Sequence, residues 1–290
     1  MAKFFRVLLF LAFLAVFVFS GQKLFSSLTG YKAARDRYAE AADRFVTRTS
    51  PAAAPNPAPQ AADFTPDPTE APPTPVPEPT PAAPDGTASE SGIAIDFGRL
   101  TALSPDAVGW IYCPDTQINY PVVQAQDNTF YLTQTFDGWE NKSGAIFMDA
   151  NSDPYLLDDN TIIYGHNMKD TSMFYTVTLY QDQSFYDQHP VLYYLTPEGN
   201  YRIELFAGMI VESESIAFVP RYPNQAEKQN YIDVLYRKSS FKSNVKADWQ
   251  DHLVTLSTCN YTRENSRYIV CGVLREEQQP DQQHDGEESA

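Results

Sequence analysis

Residues 253–274 read LVTLSTCNYTRENSRYIVCGVL. Two apolar, β-branched runs, LVTLSTC and RYIVCGVL, flank the polar stretch NYTRENS. Short runs of this kind bounded by turn residues predict strands. If the two run antiparallel, the end of the first lies beside the start of the second, and Cys259 faces the same mouth as Arg267. Upstream, GWIYCPDTQINYPVVQ, SGAIFMD, TIIYGH, VLYYLT and YRIELFAGMIV are further short runs bounded by Gly, Pro, Asn or Asp. Residues 224–238, NQAEKQNYIDVLYRK, lack Pro and Gly and predict a helix, and residues 97–103 a shorter one. Many short strands with one inserted helix predict a mainly β domain, a barrel or a sandwich.

The flanks have another character. Lys3 and Arg6 precede an unbroken apolar run over residues 7–19. Large side chains fill the end of that run, where a cleavage site prefers small ones, so residues 1–21 read as a retained signal-anchor. The positive flank then stays in the cytoplasm and the main domain lies outside. Residues 22–48 carry Leu24, Leu28, Tyr31, Ala34, Tyr38, Ala42 and Phe45 at helical spacing, which suits a stalk or a helix packed on the domain. More than half of the 22 prolines lie between Pro51 and Pro84. Proline at that density builds neither ladder nor core, so residues 49–92 read as a polyproline-like spacer that holds the domain away from the membrane. The globular part spans residues 93–275. Residues 276–290, EEQQPDQQHDGEESA, read as an acidic, disordered tail.

The formal net charge of −16 argues against nucleic-acid binding, which needs a basic face. Three cysteines and four histidines fall at no metal-ligand spacing, so neither a metal nor another cofactor is expected. An odd cysteine count leaves at least one free thiol. Cys271 inside YIVCGVL and Cys113 inside IYCPD read as small core residues. Cys259 ends a strand next to Asn260, where substrate can reach it, although a buried structural thiol is the commoner outcome for cysteine. His166 follows a buried-looking strand and Gly165, well placed to enter a cleft, or else to serve as an ordinary loop histidine. Arg267 is either a surface charge at a strand start or a cation beside the thiol, with Arg263 in the loop as the alternative. Thiolate, imidazole and guanidinium together form a coherent acyl-transfer set: nucleophile, proton carrier and oxyanion partner.

TLSTC with an arginine eight positions on, together with TIIYGHN upstream, resembles the sortases, cysteine transpeptidases of the Gram-positive cell surface. VGWIYCPDTQINYPVVQ, DNTFYLTQTFDG, SGAIFMDANSD and TIIYGHNMKDTSMF extend the resemblance over the whole globular part, and the helix before the cysteine strand is similar to class B sortases. The resemblance implies an eight-stranded sortase-type β-barrel with an N-terminal helix. It implies Cys259 as nucleophile, His166 as general acid/base and Arg267 as the cation at the transition state. It also implies that Asn128, Leu132, Tyr164, Ser257 and Asn260 line a substrate groove.

The implied reaction cleaves a C-terminal sorting signal after threonine, through a thioester. An amine of the cell wall or of a pilin then takes the acyl group. Class B relatives prefer signals resembling Asn-Pro-x-Thr-Asn or Pro-Pro-x-Thr-Gly. Three departures stand out: Asn260 where several relatives carry an acidic or hydroxyl residue, an unusually long and proline-rich stalk, and Cys113 where an aliphatic residue is commoner. Two other readings use the same residues: a cysteine peptidase with water as acceptor, and an anchored, non-catalytic binding module.

Overall fold

The computed structural model describes residues 2–49, 89–260 and 265–277. Arg263, His284, most of the proline-rich stretch and most of the tail lie outside them. In chain order the elements are α1 (Ala2–Phe45), β1 (Val46–Arg48), β2 (Ile93–Ile95), α2 (Phe97–Leu103), β3 (Ala107–Tyr112), β4 (Asn119–Val123), β5 (Ile146–Met148), β6 (Asn160–Tyr164), α3 (Gln183–Gln188), β7 (Val191–Leu195), β8 (Asn200–Glu212), α4 (Gln225–Lys238), β9 (Leu253–Asn260) and β10 (Ser266–Glu276). Eight strands close a barrel in the order β10-β8-β7-β3-β4-β5-β6-β9. The β4–β5 and β6–β9 pairs are parallel and the rest antiparallel. Closure leaves no free strand edge, the general solution for short strands of this kind.

Alternation along β9 and β10 divides the hydrophobic residues between two cores. Val254, Leu256, Tyr268 and Val270 point into the barrel with Trp110, Val122, Ile146 and Leu205. Leu253, Ile269, Cys271 and Val273 point outward, where Ile232 and Leu235 of α4 cover them. Helix α4 begins where the Asn224 side chain accepts a hydrogen bond from the Glu227 amide, 3.0 Å away. The outer face of β9 and β10 is therefore sealed by α4 at one end, and Cys259 and Arg267 stand at the other end of the same face.

The two flanks of the domain depart from the sequence reading in three ways. The expected anchor and the expected juxtamembrane helix are one continuous helix of 44 residues. Its stretch Phe4–Lys23, of mean hydropathy 2.4, is not buried against the rest of the fold and is long enough to cross a bilayer. Its second half is built into the domain: Ala34, Tyr38, Ala41 and Phe45 are buried. The Tyr38 hydroxyl donates to the Gly144 carbonyl at 2.7 Å, its ring meets Tyr120 edge-on at 5.4 Å, and Arg37 pairs with Asp137.

Second, the helix ends at Phe45 rather than at residue 48. Val46 to Arg48 pair antiparallel with Ile95 to Ile93, and the Thr49 amide donates to the Gly92 carbonyl at 2.9 Å. The two ends of the proline-rich stretch thus lie side by side, so its length does not separate α1 from the barrel. Third, the tail begins later than residue 276. Glu276 pairs with Tyr201 in the β10–β8 ladder, and the buried Glu277 carboxylate accepts from Ser89 at 2.7 Å.

Candidate active site

Cys259 and Arg267 are register partners in the antiparallel β9–β10 pair, so their side chains emerge next to each other on one face. On the other side of β9 lies β6, parallel, with Tyr164 opposite Ser257. One residue beyond β6, the Gly165 amide donates to the Ser257 carbonyl at 3.1 Å, and His166 follows. A Cβ on Gly165 would stand 2.5 Å from Ile146 Cδ1 and 2.6 Å from Phe174 Cγ. The glycine ahead of His166 is thus required for space, since its φ is not positive.

Three connections bring the trio onto one cavity of about 220 Å³, lined by Asn128, Leu132, Phe147, Tyr164, Gly165, His166, Ser213, Phe218, Ser257, Thr258, Cys259 and Arg267. His166 Nε2 lies 2.8 Å from the Leu132 carbonyl oxygen. A carbonyl only accepts, so Nε2 carries a hydrogen and the lone pair of the neutral ring is at Nδ1. The Asn167 side-chain amide donates to the Cys259 carbonyl at 3.0 Å, which ties the histidine loop to the cysteine strand. Cys259 is partly exposed, whereas Cys113 and Cys271 are fully buried. Burial pushes the Cys271 thiol up to about 11, and raises the Cys113 thiol as well. Among the described residues Arg267 forms no ion pair, and its Nη1 donates only a long 3.4 Å bond to the Ser266 carbonyl.

The remaining expected groove residues divide. Asn128, Leu132, Tyr164 and Ser257 line the cavity with the trio, and the Ser257 hydroxyl is buried without a partner among the described residues. Asn260 does not line it; it is buried at the end of β9, paired with Ser266. Phe147, Ser213 and Phe218 line the cavity but carry no local signal in the sequence. Phe147 sits in an ordinary buried strand, and the other two come from the connection after β8. Asn167, which ties His166 to the cysteine strand, follows His166 in the same turn. Among the described residues no three His, Cys, Asp or Glu side chains gather as a metal site.

A partly exposed thiol, an imidazole and a guanidinium on the rim of a closed β-barrel are the equipment of a thiol-based acyl-transfer enzyme. The chain belongs to the sortase family of cysteine transpeptidases: the family model described as Sortase domain matches residues 111–275. Similar members of that family include sortases of class B. It is 36% identical over 177 residues to sortase B of Listeria monocytogenes, spanning 60% of this chain and 72% of that protein. It is 33% identical over 176 residues to sortase B of Staphylococcus aureus, again over 60% and 72%. The crystal structure of S. aureus sortase B superposes with a TM-score of 0.60 at 32% identity, covering 62% of this chain and 86% of that one.

Proposed function

We propose that this chain is a class B sortase that cleaves a C-terminal sorting signal after threonine and transfers the acyl group to an amine. Cys259 attacks the threonine carbonyl carbon as the thiolate, and the carbonyl oxygen gathers negative charge. Arg267, register partner of Cys259, holds that oxyanion or the adjoining substrate backbone with its forked donors. His166 gives a proton to the departing amine as the peptide bond breaks, which leaves a thioester on Cys259. The acceptor amine then attacks the thioester carbon, loses its proton to His166, and releases the thiolate. The Ser257 hydroxyl and the walls formed by Asn128, Leu132 and Tyr164 bind the signal peptide.

The observation that carries this reading is the meeting of Cys259, Arg267 and His166 on one cavity from three separate strand ends. S. aureus sortase B has been solved in a substrate complex, and a sortase B has been solved with triglycine, which supports a peptide substrate and an amine acceptor of this kind. The apolar half of α1 anchors the chain in the membrane, with the barrel on the outer side, among secreted proteins and wall or pilin amines.

The test uses the full chain in detergent with fluorogenic peptides of the forms Asn-Pro-x-Thr-Asn and Pro-Pro-x-Thr-Gly. Cys259→Ala, His166→Ala and Arg267→Ala are each expected to abolish cleavage. An added oligoglycine is expected to appear in the product. Cleavage by Cys259→Ala refutes the thiol mechanism; a hydrolysis product alone at every amine concentration makes the protein a peptidase.

A further inference from the structure

Asp149 lies just past β5, is 4% exposed, and does not line the cavity around Cys259. It nevertheless touches two residues that do. Its Oδ2 accepts from the Tyr164 hydroxyl at 2.9 Å and from Asn128 Nδ2 at 2.8 Å. Its Oδ1 accepts from the Asn151 amide at 2.8 Å and from Asn151 Nδ2 at 3.1 Å. Among the described residues no lysine or arginine pairs with it, so these four donors satisfy the carboxylate. The backbone around it is fixed as well: its amide donates to the Ile162 carbonyl at 2.9 Å, and its carbonyl accepts from Gln124 at 2.9 Å.

A carboxylate accepts and never donates. The single hydroxyl hydrogen of Tyr164 is therefore spent on Asp149, and the hydroxyl of this cavity-lining residue keeps only oxygen lone pairs for another partner. Burial and the Asp149 charge both favour the protonated phenol, against the opposing charge of Arg267. Asn128 is polarised the other way. Its Oδ1 accepts from the Ala150 amide at 2.8 Å, which fixes which end of the amide is oxygen. One of its two amide hydrogens goes to Asp149, and among the described residues the other takes no partner.

We propose that Asp149 is a positioning residue that sets the hydrogen-bond polarity of the substrate groove, so that Tyr164 accepts from the bound peptide and Asn128 donates to it. The inference rests on the sortase reading of the cavity. The groove then selects a peptide with an N–H facing Tyr164 and a C=O facing Asn128. Its walls, from the β4–β5 connection and the end of β6, are locked together by one buried anion.

The experiment compares the full-length wild type, Asp149→Asn, Tyr164→Phe and the double variant on the fluorogenic signal peptide. Asp149→Asn can donate to the Tyr164 oxygen and so consume the acceptor. The expected loss in kcat/KM is about tenfold to a hundredfold, carried mainly by KM. The loss is expected to shrink in the Tyr164→Phe background, because Asp149 acts through that hydroxyl. The rate at which iodoacetamide alkylates Cys259, and its pH profile, are expected to stay at wild-type values. Additive losses, an unchanged kcat/KM, or an equal fall in alkylation rate would overturn the proposal.

Where Asp149→Asn does not fold, the peptide takes over as the probe. Each backbone N–H of the signal is replaced in turn by an ester oxygen. One replacement is expected to impair the wild type and not Tyr164→Phe; if none does, Tyr164 is not an acceptor and the proposal falls. Cleavage that survives Cys259→Ala would instead refute the sortase reading itself, which keeps the two failures apart.

Discussion

Under the proposed anchoring by α1, residues 50–88 are expected to tolerate shortening without bringing the barrel nearer the membrane. An extended spacer of 44 residues would reach on the order of 130 Å, and cutting it to a dozen would remove most of that reach. The structure joins its ends instead: Arg48 pairs with Ile93, and Thr49 with Gly92 through a 2.9 Å hydrogen bond. On the proposed anchoring, the distance from membrane to barrel is then set by α1. With Phe4–Lys23 in the bilayer, Tyr38 lies 15 residues further along the same helix, about 22 Å beyond it at 1.5 Å per residue. Replacing residues 52–86 with a six-residue Gly/Ser loop is expected to leave this height unchanged within a few ångströms. Seven helix-forming residues inserted after Lys23 are expected to raise it by about 10 Å.

The assay is energy transfer between a dye on the barrel and acceptors in the bilayer, with the full chain in vesicles. The same shortening also makes a stability prediction. Contracting the closed loop from about 42 residues to about 13 lowers its closure entropy and is expected to stabilise the domain by about 1 kcal/mol, read as a higher Tm. A height that drops by tens of ångströms on shortening would refute the reasoning, as would loss of stability. Partition of the wild type into the soluble fraction would refute the anchor and leave the paired ends untouched.

Other expectations follow from burial and contact. A charged thiosulfonate reagent is expected to label the native chain at Cys259 alone and the denatured chain at all three thiols, by mass spectrometry; Cys271→Ser is expected to lower Tm and leave turnover unchanged. Tyr38→Ala is expected to cost about 3–5 kcal/mol in denaturant unfolding, because it empties a site between α1, Tyr120 and Phe136. His252 is held down to about 4, chiefly by burial and then by the charge of Lys228, with Asp159 opposing. The unfolded imidazole therefore binds more protons between pH 6.5 and 4. Its contribution, on the order of 3 kcal/mol, is complete above pH 6.5 and is lost as the pH falls toward 4. Tm measured from pH 7 to pH 4 is expected to fall less steeply in His252→Gln than in the wild type.

The barrel strand runs, helices α2 and α4 and the Cys259–Arg267 pairing were legible because each depends on local pattern: period-two burial, a run without Pro or Gly, a polar loop between two β runs; the six-residue α3 was not. His166 was legible from its place after a strand. Residues whose meaning lies in a remote partner were not. Asp149 is one aspartate in FMDAN until Asn128 and Tyr164 close on it from segments 21 and 15 residues away. Phe218 reaches the cavity only because the β8–α4 connection folds back over it. Composition misled at two points for a related reason. Proline density describes a stiff chain but says nothing about where its ends go, and acidity at residues 276 and 277 did not disclose the ladder and the Ser89 hydroxyl that receive them.

Alternation places Cys259 and Cys271 on the same face, yet one is partly exposed and the other buried. Both thiols lie on the outer face of the same antiparallel pair, Cys259 opposite Arg267 and Cys271 opposite Thr255. Parity therefore cannot distinguish them; coverage does. Over Cys271, Tyr231 of α4 brings its hydroxyl to 3.9 Å from the sulfur, and Thr255 lies 3.6 Å away, so the thiol stays protonated in a sealed layer. At the other end of the face α4 contributes no residue, and a cavity takes its place with His166 and Arg267 on its walls. Moving the boundary of that coverage should move reactivity with it. Tyr231→Ala is expected to open the layer and let the reagent reach Cys271, while Cys259 keeps its rate. If Cys271 stays unlabelled with α4 so loosened, the strand packing itself protects it, and the helix is not what divides structural from reactive cysteine.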